Sequence, residues 1–98
     1  LIQQALVYKP DDGYITDSLG WVYYKKGLYQ QALEYLEKAA KLIPDDPTIL
    51  EHIGDTYLKL DHPQKALAYY RLAMSKKDKD KEQSDLPAKI KDLEKKGF

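Results

Sequence analysis

The stretch EHIGD, residues 51–55, sets a carboxylate, an imidazole and a second carboxylate within about one turn of a helix. Glu51, His52 and Asp55 are donor types that can hold a divalent metal. A closed site would still need a further ligand, such as a second histidine at coordinating spacing. The other histidine, His62, adjoins Pro63 in what reads as a turn. No HExxH pair, no Ser–His–Asp spacing and no glycine-rich loop after a strand occurs. Paired carboxylates such as Asp11–Asp12 stand in turns and read as helix caps. The chain has no cysteine, which excludes disulfides and thiolate chemistry and leaves the redox compartment unread. No catalytic residue, metal or cofactor is assigned, and the expectation is a segment that is not itself an enzyme.

The elements that would carry these residues follow from composition and period. Ninety-eight residues suit one domain. Sixteen basic and sixteen acidic side chains cancel. That balance gives no general attraction to nucleic acid or to anionic lipid. No apolar run approaches the roughly 20 residues that span a bilayer, so no direct membrane insertion is expected. Nine tyrosines against one phenylalanine suit surfaces that are half buried, because a phenol pairs a packing ring with a hydroxyl that wants a partner.

Sliding the chain on itself by 34 residues superimposes Ile15 on Ile49, Gly20 on Gly54, Tyr23 on Tyr57 and Lys25 on Lys59. The same shift carries Gln30 onto Gln64, Ala32–Leu33 onto Ala66–Leu67, Tyr35 onto Tyr69 and Ala39 onto Ala73. Upstream it places Ala5 on Ala39, and PDD at Pro10 to Asp12 on PDD at Pro44 to Asp46. Within a unit the period is helical: Ile15, Leu19, Val22 and Tyr23, then Leu33, Leu36, Ala39 and Ala40. Pro10 and Pro44 end helices, Asp12 and Asp46 cap the next ones, and Pro47 fits a first turn. Turns at Gly27 and at Asp61 to Pro63 fold each unit into a helical hairpin. Helices are thus expected to about Tyr8 and over about 13–26, 29–43, 47–60 and 63–76. Gly20 and Gly54, costly inside a helix, should mark where paired helices cross closely. Ala32, Ala39, Ala66 and Ala73 should face them, with Tyr23 and Tyr57 filling the sides.

This spacing resembles the tetratricopeptide repeat, a 34-residue helical hairpin. In the first full unit its pattern falls on Thr16, Leu19–Gly20, Tyr23, Ala32, Leu36, Ala39 and Pro44. In the second it falls on Leu50, Ile53–Gly54, Tyr57, Ala66, Tyr70 and Ala73. Thr16 departs from the usual large residue. Asp78 replaces the terminal proline, which suggests that the fourth full helix runs on toward KKDKDK. The resemblance covers roughly residues 1 to 80. It implies an all-α fold, a right-handed superhelical stack of antiparallel helix pairs. Residues 1–10 form the second helix of a truncated preceding repeat, 13–46 and 47–80 are full units, and 81–98 are a charged connector and a C-terminal capping helix.

That last helix is expected over 85–96, capped by Ser84 or Asp85, with Leu86, Ile90 and Leu93 as its apolar stripe. The N-terminal helix has no such cover. The chain looks cut from a longer polypeptide, and Leu1, Ile2, Leu6 or Val7 should either fray or self-associate. Its wording, DSLGWVYY and PDDPTILEHIGDTY, resembles multi-repeat proteins of bacteria, many exported or membrane-associated, and the compartment stays open.

The resemblance further implies a concave groove lined by first helices, where an extended peptide or partner helix lies. The matching positions are Tyr14, Asp17, Trp21, Tyr24 and Lys25 in one unit and Thr48, Glu51, Asp55, Leu58 and Lys59 in the next. Helical spacing independently places Asp17, Trp21, Tyr24 and Lys25 on one face. The alternative is that Trp21 packs on a neighbouring repeat and the charges are a solvated face. Family members that clamp a terminal carboxylate use lysine and asparagine here, whereas Asp17, Glu51 and Asp55 would repel it. A basic or aromatic-apolar protein or peptide suits the face better. Two further readings are a structural spacer or oligomerisation module of a larger protein, and an accessory arm of an enzyme whose catalytic domain lies elsewhere.

Overall fold

The computed structural model describes residues 12–77 and 85–98. Expectations for the helix at 1–10, for Ser84 and for the charged connector lie outside the described residues. Five α-helices are described: α1 (Gly13–Lys25), α2 (Tyr29–Leu42), α3 (Pro47–Lys59), α4 (Pro63–Lys76) and α5 (Leu86–Lys95). There is no strand among the described residues. The fold is all-α and built of antiparallel helix pairs. It divides into two compact units, Leu1–Pro44 and Asp45–Phe98, so the division falls inside the PDDP turn.

Local chemistry fixes the helix ends. The Asp12 carboxylate accepts from the Ile15 amide at 3.0 Å, and that of Asp46 accepts from Thr48 and Ile49 at 2.9 and 3.2 Å. Each thereby satisfies donors that the first turn leaves without a partner. After α1, the amides of Gly27 and Leu28 close on the carbonyls of Tyr24 and Tyr23. After α3, those of Asp61 and His62 close on Leu58 and Tyr57 in the same pattern, and after α5 Gly97 and Phe98 close on Glu94 and Leu93. This closure needs a left-handed residue at its second position, here Gly27 at φ 79°, Asp61 at 63° and Gly97 at 94°.

Two sequence expectations need correction. Asp85 precedes α5 but makes no side-chain cap bond; its backbone (φ −79°, ψ 10°) is not the extended conformation that aims an N-cap side chain back at the first turn. And α4 does not run on: it stops at Lys76, where Lys77 turns to extended backbone (φ −71°, ψ 138°) without any proline.

Packing inside each unit centres on one glycine. In the first, a Cβ placed on Gly20 would meet Leu36 Cγ at 2.9 Å and the Ala32 carbonyl at 3.2 Å. In the second, a Cβ on Gly54 would meet the Tyr70 ring at 2.6 Å and the Ala66 carbonyl at 3.2 Å. The helix backbones therefore approach closely at these points, and Ala32, Ala39, Ala66 and Ala73 are completely buried. Dispersion attraction across the crossing offsets the helix propensity lost at glycine. Thr16 and Thr56 are also fully buried. Each donates its hydroxyl at 2.8 Å to the carbonyl four residues back, of Asp12 and His52 respectively, which removes the penalty of an unpaired polar group. Beside the crossings Tyr23 stacks on Tyr35 (5.3 Å between centroids) and Tyr57 on Tyr69 (5.6 Å). Burial raises the Tyr35 hydroxyl above its ordinary value, and the neighbouring Tyr23 phenol adds to the shift.

The second unit buries Leu50, Ala66, Leu67, Tyr70 and Ala73 together with Leu86 and Leu93 of α5. Ile90 packs against the same cluster. Helix α5 thus covers apolar surface that α3 and α4 leave between them.

Candidate functional site

On α1 the positions singled out by spacing form a continuous aromatic face. Trp21 and Tyr24 stack almost parallel, 4.2 Å between centroids and 5° between planes. The Lys25 ammonium lies 5.8 Å from the indole centre, and Tyr29 of α2 meets Tyr24 edge-on at 5.4 Å. Such a stacked pair contributes roughly 0.5–1.5 kcal/mol beyond the area it buries, which favours the stacked pose several-fold. Trp21, Tyr24 and Asp17 are half buried, Lys25 is exposed, and Tyr14 stands out with 63 % of its surface accessible. The arrangement is a planar aromatic platform flanked by a phenol, a carboxylate and an ammonium.

On α3 the corresponding residues serve differently. Thr48, Leu58 and Lys59 are exposed. Glu51 and Asp55 instead converge on one ammonium, Lys89 of α5. Its Nζ donates to Glu51 Oε2 at 2.7 Å and to the two Asp55 oxygens at 2.9 and 3.2 Å. Asp55 Oδ1 also accepts from the hydroxyl of the fully buried Tyr70 at 2.6 Å, and the ammonium sits 5.6 Å from the Tyr70 ring centre. The two carboxylates share one cation, and Asp55 also holds the phenol. Burial by itself pulls the Lys89 ammonium down, but its hydrogen bonds to Glu51 and Asp55 and their charges outweigh that and raise it above the ordinary lysine value.

Lys89, Tyr70 and Tyr29 are the participants that sequence reasoning missed at these faces. A signal for Lys89 was present: it lies 34 residues beyond Asp55, the same place one period later, with opposite charge. Among the described residues no group of three or more histidine, cysteine or acidic side chains gathers to hold a metal. No described helix is long and apolar enough to cross a membrane. A shallow hollow of about 330 Å³ opens at the second hairpin turn, lined by Asp61, His62, Pro63, Gln64, Lys65 and Phe98. It gathers no set of polar groups onto one point, and Lys65 in it lies over the Tyr57 ring.

Known proteins share the repeat pattern and the fold. Two sequence-family profiles match the chain, one described as TPR repeat over residues 20–61 and one as tetratricopeptide repeat over residues 47–83. No curated protein matches it. Among solved structures it is similar to the N-terminal domain of stress-induced protein-1 (STI-1) from C. elegans, with a TM-score of 0.78 at 16 % identity. The alignment covers 95 % of this chain and 76 % of that one. At that identity the likeness speaks for the fold alone.

Proposed function

This chain belongs to the tetratricopeptide repeat family, and from that premise we propose that it is a non-catalytic scaffold whose first-helix faces receive an extended peptide or partner helix. Repeats of this family mediate protein–protein interaction. The observation that carries the finer reading is the Trp21–Tyr24 stack with Lys25 over the indole and Tyr14 exposed on the same helix. Pre-stacked rings offer broad contact area at little further loss of side-chain freedom, the quality of residues that dominate binding energy. In the groove reading, Tyr14, Asp17, Trp21, Tyr24 and Lys25 form the first unit's lining, and Thr48, Glu51, Asp55, Leu58 and Lys59 the second's. Asp17 on this face disfavours a terminal carboxylate and favours a basic or aromatic-apolar segment, whereas Glu51 and Asp55 are already engaged by Lys89.

A random peptide display library selected on the chain tests this. Enriched sequences should carry aromatic or basic residues, and Trp21→Ala should weaken their binding by about 2 kcal/mol, the scale of an aromatic anchor. A selection that enriches nothing, or peptides indifferent to Trp21→Ala, would favour the spacer or accessory-arm reading instead.

A further inference from the structure

Helix α5 packs along α4 and reaches the first helix of the unit, α3, through Lys89, and its contacts define what this seat accepts. It lays Leu86, Ile90 and Leu93 against the second unit's core and inserts Lys89 between Glu51 and Asp55. The two carboxylates have side chains only 19 % and 14 % accessible, so the ammonium is received in a partly dry recess. A second ion pair, Arg71–Glu94 at 2.9 Å, ties the helix to α4 but is exposed.

We propose that the α5 seat is an exchangeable docking site whose ligand is a short amphipathic helix with the pattern apolar-x-x-Lys-apolar-x-x-apolar, and that α5 is its resident competitor. Residues 86–93, LPAKIKDL, display that pattern. Charge complementarity argues for the lysine. Asp55, held by Tyr70, and the similarly buried Glu51 form a negative recess, and an incoming helix without a cation would leave it unpaired, at a cost that selects against such partners. Covalent attachment gives α5 an effective concentration on the order of millimolar. A second helix therefore enters when the Lys89 contact is weakened, or when it binds better than α5 does. The proposal extends the interaction-scaffold reading to a second ligand class. Every contact it uses lies in the second unit, so it stands or falls apart from the Trp21 face.

The test uses the full chain and a fluorescent peptide of residues 85–98 as the probe. Lys89→Glu in the chain places a third carboxylate in the recess and should loosen α5. The peptide should then bind this variant at least about tenfold more tightly than it binds the unaltered chain. A peptide carrying Lys89→Glu itself should not bind. Unfolding is separated from exchange by the charge swap Glu51→Lys with Lys89→Glu, which should reseat α5 and return peptide binding to the weak level of the unaltered chain. Lys89→Met, which keeps an apolar stem, should fall between the two. Equal binding to the unaltered and Lys89→Glu chains, or equal binding of the Lys and Glu peptides, overturns the proposal. So does a charge-swapped chain that binds as tightly as Lys89→Glu alone. Through all of these, Trp21→Ala should leave peptide binding unchanged.

Discussion

Replacing Gly54 by alanine should destabilise the second unit, although alanine is the better helix former. An added Cβ would stand 2.6 Å from Tyr70 Cε1 and 2.7 Å from Cδ1, where ordinary contact begins near 3.4 Å. The ring would have to retreat by about 0.8 Å, the difference of those distances. It has little room, since Tyr70 is completely buried and its hydroxyl is held by Asp55 at 2.6 Å. The Ala66 carbonyl at 3.2 Å belongs to the backbone and yields only if α4 moves. Overpacking of this kind costs roughly 1–3 kcal/mol, against a propensity gain of roughly 1 kcal/mol. The expected net loss is up to about 2 kcal/mol, toward the upper end because neither the ring nor the carbonyl can give, read from urea denaturation followed by far-ultraviolet circular dichroism. Displacing Tyr70 also pulls on Asp55 and through it on Lys89, so α5 amides should exchange faster than those of α1. Gly20→Ala is the internal control. Its Cβ would meet Leu36, a branched side chain that can change rotamer, at 2.9 and 3.0 Å, and its effect should be smaller. A Gly54→Ala chain as stable as the original, or more stable than Gly20→Ala, would refute the close crossing that the fold depends on.

Two other perturbations are as specific. Asp61 holds the left-handed position that Gly27 holds in the first hairpin, at φ 63°, so Asp61→Gly should stabilise by up to about 1 kcal/mol and Gly27→Ala should cost about as much; because a Cβ on Gly27 would touch nothing within 4 Å, that cost is conformational. Both are read from urea midpoints. Lys89 is raised above its ordinary 10.5 when folded, so its contribution is fully present below pH 10.5 and is lost as the pH climbs from there through the folded value. Urea midpoints compared at neutral pH and at about pH 11 should fall more for the unaltered chain than for Lys89→Met, and equal falls would detach Lys89 from the stability of the second unit.

Much of this architecture can be read from residue order because it is written twice. Gly20 and Gly54 share one place in the period, and the capping aspartates 12 and 46 each stand just ahead of a helical run, so local rules suffice for them. The aromatic face is legible too, since Trp21, Tyr24 and Lys25 are three and four residues apart; that two rings lie flat on each other is not, because rotamers are settled by neighbours such as Tyr29. The seating of α5 is the clearest loss. Residues 85–98 carry lysines at 89, 91, 95 and 96, and periodicity cannot say which of them meets a carboxylate more than thirty positions away. Glu51 and Asp55 consequently read as charge offered to a partner, whereas within the chain they already hold a cation. The end of α4 escapes for a related reason: a missing proline removes one stop signal but does not supply the contacts that would keep a helix going.

The way α5 ends has a practical consequence. Lys96, Gly97 and Phe98 copy, bond for bond, the reversals that lead from α1 into α2 and from α3 into α4, whereas α2 and α4 finish differently. The polypeptide at Phe98 is therefore already aimed as it is at Leu28 and His62, one residue before a returning partner begins. A segment copied from Pro63–Lys76 and spliced on after Phe98 would meet a ready-made joint, which makes this the natural place to lengthen the protein by design.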